Sequence, residues 1–144
     1  MFNIKLRVSN LVKKYGTANP FELANELNIR VLNLDLPDSI HGCLVKVLRR
    51  KFILLNQNLN YSRKKIVVCH ELGHAMLHSG YEYYLHPDMS YYVPSKREKE
   101  ANEFAICLLS YSSDADYDID LINNIIKTRY PNPLEIHKIL SRLI

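Results

Sequence analysis

Val67-Val68-Cys69-His70-Glu71-Leu72-Gly73-His74-Ala75-Met76-Leu77-His78 sets the pattern H-E-x-x-H inside an apolar run, and the rest of the chain is read outward from it. At about 3.6 residues per turn, His70 and His74 stand one above the other on one helix face, about 6 Å apart along the axis, so both imidazoles can reach one metal ion. Glu71 is carried beside them. Zinc in a hydrolytic site takes three protein ligands and keeps a fourth position for water, whose proton Glu71 is placed to accept. The competing reading is an ordinary amphipathic helix with hydrogen-bonded histidines and a solvated glutamate. Average residue usage makes such a chance match rare in a short chain, on the order of one per cent or less. Ile66, Val67, Leu72, Met76 and Leu77 would in addition bury the helix against a core.

Two histidines leave a ligand to be found. His78 continues the stripe, but it stands about 12 Å along the axis from His70, against zinc–nitrogen bonds of about 2.1 Å, so one straight helix cannot supply all three. The longer pattern H-E-x-x-H-x-x-G-x-x-H is absent, since Leu77 holds its glycine position and Gly80 its last histidine position. His78 reads instead as a helix-end residue, favourable near the negative end of the dipole or lining the cleft mouth. The second source of ligands is the segment from Ser95 to Leu109. Ser95 with Glu98 makes a capping box, and Ala101, Phe104, Ala105, Leu108 and Leu109 form one apolar face. Glu98 and Asn102 share an edge of that face. Glu98 can ligate zinc while the Asn102 amide holds a ligand histidine by its other ring nitrogen. A purely capping Glu98 is the plainer alternative, and Glu100, about 200° away around the helix, is the other candidate carboxylate.

H-E-L-G-H at 70–74, E-K-E-A-N-E-F-A at 98–105 and the Leu108-Leu109 pair together resemble the ImmA/IrrE family of metallopeptidases. The resemblance runs over most of the chain, although Ser110-Tyr111 stands where many members have Met-Pro. In the wider gluzincin pattern the first Glu of E-x-x-x-D/N is the ligand, which implies Glu98 as ligand and Asn102 behind it. It further implies a zinc endopeptidase of phages, integrative elements or regulatory loci that cuts a helix-turn-helix repressor. The contrasting possibility is a metal-containing binding module that sequesters a repressor or other partner without cutting it.

At 144 residues, 47 % hydrophobic and 24 % charged, the chain suits one domain. No secretory signal and no run of about 18 apolar residues is present, so a cytoplasmic protein without a membrane span is expected. Cys43, Cys69 and Cys107 are odd in number and lack C-x-x-C spacing, which favours buried thiols over disulfides or a cysteine zinc site. The net charge of +4, with Arg49-Arg50-Lys51, Arg63-Lys64-Lys65 and Lys96-Arg97, is too mild for a nucleic-acid footprint.

The expected fold is α+β and zincin-like: a small antiparallel sheet packed on the H-E-x-x-H helix, with helical segments at both ends. Residues 1–28 form a helical lead-in, with Asn19-Pro20 opening a helix. Phe21 to Ile29 resembles part of a helix-turn-helix, but no recognition helix follows, so direct DNA binding is not expected. Residues 29–56 form the sheet, from the runs Ile29–Leu34, Gly42–Leu48 and Phe52–Leu55, separated by Pro37-Asp38 and Arg49-Arg50-Lys51. Lys51 to Asn56 is the candidate edge strand for pairing with an extended substrate. Residues 62–112 carry the two metal-bearing helices, and 113–144 form C-terminal helices, the last after Pro131-Asn132-Pro133. Tyr81, Tyr83, Tyr84, His86, Tyr91 and Tyr92 are candidates to stabilise an oxyanion or simply to pack a loop. Asp114 to Asp120 resembles a calcium loop, but Ile119 and Ile125 occupy its glycine and glutamate positions, so calcium is rejected.

Overall fold

Asn3 and Asn19 each begin a helix by offering a side-chain oxygen to amide donors that the first turn leaves unpaired. In the computed structural model, which describes residues 2–78, 95–111 and 138, helix α1 spans Ile4–Tyr15 with Asn3 Oδ1 accepting from the Leu6 amide at 3.1 Å. It stops at Gly16, whose φ of 68° is the left-handed conformation that lets its amide bond back to Val12. Helix α2, Pro20–Glu26, has Asn19 Oδ1 bonded to the Phe21 and Glu22 amides and proline at its first position. The chain then passes through Asn28, with φ at 59°, into strand β1, Ile29–Leu34. A strand, not a recognition helix, follows α2.

Strands β2, Gly42–Val47, and β3, Arg50–Asn56, complete the sheet. The order is β1-β3-β2, with β1 parallel to β3 and β2 antiparallel to it. Two expectations are corrected here. The sheet is mixed, not antiparallel, and Lys51 to Asn56 belongs to the central strand, not to an edge. The physical cause is the connection 35–41, which crosses one sheet face with Leu36 and Ile40 buried and delivers β2 to the far side. The hairpin back into the middle turns on Leu48 and Arg49 alone, both at positive φ, so Arg50 and Lys51 are strand residues and not spacer.

Both sheet faces are covered. Ile29, Leu44, Ile53 and Leu55 face the helices, while Cys43, Val45 and Leu54 join Leu36 and Ile40 on the other side. Asn60 caps helix α3, Tyr61–Leu77, by accepting from the Arg63 amide at 2.9 Å. Ile66, Val67, Val68, Cys69 and Leu72 bury α3 against the sheet and helix α4, Ser95–Leu109. Each such side chain contributes about 1.5–3 kcal/mol when fully removed from water. Ala101, Phe104, Ala105, Leu108 and Leu109 are buried as the apolar face of α4 required, while Met76 is only partly so. The α3–α4 approach is tightest at Gly73, where a Cβ would lie 3.0 Å from Ala101 Cα and 3.0 Å from Phe104 Cβ. An L-side chain there would push apart the two helices that carry the candidate ligands. The mixed three-stranded sheet and four described helices make an α+β, zincin-like fold. The Ser95 side chain, the tyrosine-rich stretch up to Pro94, the acidic run from Asp114 and, Lys138 excepted, the segment expected to form C-terminal helices lie outside the described residues.

Candidate active site

His70, Glu71 and His74 occupy successive inward positions of α3 and are 6 %, 6 % and 0 % exposed. Their spacing brings His70 Nε2 and His74 Nε2 to 3.2 Å, with the rings edge to face. From α4 the Glu98 carboxylate reaches both, Oε2 at 2.8 Å from His70 Nε2 and Oε1 at 3.0 Å from His74 Nε2. Donor atoms bonded to a tetrahedral zinc at about 2.1 Å stand about 3.4 Å from each other, so the cluster is close to the span that an ion would fill. Glu71 offers a second set of three, because one donor atom each from His70, Glu71 and His74 falls within 4.8 Å of the others.

The electrostatics are those of a site that holds a positive charge. Burial alone would raise the Glu98 carboxyl, but its hydrogen bonds with His70 and His74 override this and hold it well below the usual carboxylate range. Burial drives His74 down to about 3, only partly offset by its bond to Glu98. Burial also works against a charge on His70, yet the Glu98 hydrogen bond and the neighbouring Glu71 and Glu98 charges outweigh it, so His70 is raised. Glu98 is thus held as a carboxylate between the two imidazoles, while His74 stays neutral. Glu71 is pushed up to about 8 by burial, against the His70 charge and with the help of the Glu98 charge.

Three buried atoms here have no hydrogen-bond partner: His70 Nδ1, Glu71 Oε2 and Asn102 Oδ1. Asn102 is close enough to favour a proton on His70, but its oxygen and the ring nitrogen do not meet in hydrogen-bonding geometry. His74 is held differently. His78, the C-cap of α3 and only 6 % exposed, sets its Nδ1 3.0 Å from His74 Nδ1 and its Nε2 3.1 Å from Glu100 Oε1. Burial lowers the His78 pKa, partly offset by the bond to Glu100. The helix-end position expected of His78 is therefore occupied, but inside the protein and against His74. Glu98 and Glu100, the two candidate carboxylates, go to different histidines. The i, i+4 step from His74 to His78 was the signal available for this second contact.

The thiols stand apart. Cys43 and Cys69 are buried and Cys107 is partly buried; all three are free, and burial raises each of them. The Glu71 charge raises Cys43 further. A cavity of about 640 Å³ bordered by Phe21, Asn25, Arg30, Arg50 and Lys51 contains none of the histidines. Chemistry, not cavity size, locates the site. Among the described residues no helix is long and apolar enough to cross a membrane.

The chain is 42 % identical over 106 residues to "Uncharacterized immunity region protein 2" of Bacillus phage phi105, covering 74 % of this chain and 67 % of that one. It is 30 % identical over 102 residues to "Metallopeptidase ImmA" of Bacillus subtilis strain 168, covering 71 % of this chain and 60 % of that one. No solved structure matches the chain. The IrrE N-terminal-like domain model, peptidase family M78, matches residues 24–120, from within α2 to beyond α4. Because that span takes in both helices of the buried donor set, the metal chemistry read from H-E-x-x-H has a family behind it, and the chain belongs to the IrrE N-terminal-like M78 peptidases.

Proposed function

We propose that this chain is a zinc-dependent endopeptidase of the cytoplasm that cuts a helix-turn-helix transcriptional repressor. The observation that carries the reading is the convergence of His70 Nε2, His74 Nε2 and the Glu98 carboxylate within 2.8–3.2 Å, with buried Glu71 alongside. Two imidazole nitrogens and one carboxylate suit zinc in a catalytic site and leave a position for water. The ion, when bound, supplies Lewis acidity that lowers the pKa of water and polarises the scissile carbonyl.

The remaining steps belong to the chain. Glu71 accepts a proton from the attacking water as the new C–O bond forms, then delivers it to the amine nitrogen as the C–N bond breaks. A carboxyl whose burial favours the protonated form is suited to holding that proton between the two events, and a nearby cation would bring it back towards ionisation at neutral pH. His70 must carry its proton on Nδ1 when Nε2 is a ligand, and the equally unpaired Asn102 Oδ1 is the acceptor that a small side-chain shift would bring to it. The substrate enters as an extended strand on β2, the sheet edge packed on α3 through Gly42 and Val67, with β3 excluded by its central place.

A repressor substrate is supported by the family resemblance and by the phi105 relative's name as an immunity region protein. The test is coexpression of the helix-turn-helix repressor encoded beside this gene with the native chain or with Glu71→Gln, read by intact mass. A defined cut made only by the native chain supports the proposal. An intact repressor that copurifies with both overturns it in favour of sequestration without cleavage.

A further inference from the structure

We propose that His78 and Glu100 form a positioning pair that fixes the tautomer and ring orientation of His74; this rests on the reading of His74 Nε2 as a metal ligand. An imidazole that gives its Nε2 lone pair to a cation carries its proton on Nδ1, and a buried Nδ1–H needs an acceptor. His78 Nδ1 stands 3.0 Å away. That nitrogen can accept only if the His78 proton is on Nε2, and Nε2–H then donates to Glu100 Oε1 at 3.1 Å. One assignment therefore satisfies every bond from Glu100 inward. The opposite tautomer of His78 would set N–H against N–H, or force the His74 proton onto the nitrogen that the ion requires.

The surroundings hold this arrangement rigidly. His78 caps α3 with its amide bonded to the His74 carbonyl at 2.9 Å, and the Phe2 ring meets its imidazole edge to face at 6.2 Å between centroids. Helix α4 supplies a carboxylate to each end of the chain of rings: Glu98 at His74 Nε2 and Glu100 at His78 Nε2. Glu100 acts on His74 through His78 and touches neither the ion nor the substrate. His70, whose Nδ1 has no partner, lacks this support.

The experiment measures zinc affinity by competition with a chromophoric chelator and histidine tautomers by ¹⁵N NMR of the zinc-loaded chain. His78→Phe and Glu100→Ala are each expected to weaken zinc binding about 10–100-fold, the usual effect of removing such a partner. Glu100→Gln, which keeps an acceptor oxygen, should recover most of the Glu100→Ala loss. In the native chain His78 should show a protonated Nε2 and a bare Nδ1, and Glu100→Ala should disturb that pattern. Unchanged affinity in both variants, or a native His78 protonated on Nδ1, overturns the pairing while the zinc site stands. A native chain that binds no zinc, or His70→Ala that binds it undiminished, overturns the site itself. If His78→Phe does not fold, the two Glu100 variants and the native spectrum decide alone.

Discussion

Two buried polar clusters stand out among the described residues, and they are built oppositely. At the end of β3, Asn56 is 3 % exposed, and its amide nitrogen donates to the carbonyls of Leu36 at 3.3 Å, Pro37 at 3.3 Å and Ile40 at 3.0 Å. Its Oδ1 accepts from the Asn58 amide, and its own amide donates to the His41 carbonyl. This closed circle fastens the crossing segment 35–41 to the sheet. On α3 and α4 the buried atoms His70 Nδ1, Glu71 Oε2 and Asn102 Oδ1 are left without partners. An unpaired buried polar atom costs about 1–3 kcal/mol. A fold that completes one cluster and leaves the other open has placed the second for a species the chain does not itself contain.

The sharpest way to break this contrast is Glu71→Gln, which should reduce cleavage by about 10²–10⁴-fold, the usual share of a general base, while bound zinc measured by elemental analysis is retained. Parent-like cutting would make the open cluster as structural as the Asn56 corner. Next, zinc at about a thousand times its Kd should stabilise the native chain by about 4 kcal/mol in thermal melts, an effect that His70→Ala removes. Asn56→Ala should cost about 2–3 kcal/mol in denaturant unfolding with zinc affinity little changed, because it strands several carbonyls far from the donor set. The smallest effect is a pH dependence of the metal-free chain. Between the ordinary value of 4.5 and about 8, folded Glu71 holds a proton that the unfolded chain has released, so stability falls as pH rises through that window. In chelator, Glu71→Gln should lack this fall, so its stability relative to the parent should grow across the window. A constant difference would mean that the Glu71 carboxyl is not desolvated.

Much of this was legible in the sequence because local periodicity and capping are local physics. The span of α4, the Asn19-Pro20 start of α2 and the span of β1 all follow from residues within a few positions of each other. Strand order was not legible. Alternating apolar residues identify a strand, but only the path of 35–41 decides that β3 lies between β1 and β2, and that path depends on Leu36, Ile40 and Asn56 meeting across the sheet. Arg50 and Lys51 misled for a related reason: charge suggested a spacer, while a two-residue turn needed only Leu48 and Arg49. At the site, H-E-x-x-H locates His70, Glu71 and His74 on α3 by spacing alone. The sorting of Glu98 and Glu100 between different histidines depends on how α4 rotates against α3, which the close approach at Gly73 fixes and no spacing rule contains.

The Leu48-Arg49 turn carries an implication of another kind. Both residues adopt left-handed angles, φ of 51° and 67°, and Leu48 is 90 % exposed, where asparagine and glycine would sit with less strain. Each such residue costs about 1–2 kcal/mol, and no buried packing by Leu48 offsets it. The protein is therefore not at the ceiling of its stability. A lineage that eased this one turn would gain tolerance for destabilising changes elsewhere, including those by which a protease site shifts from one target to the next.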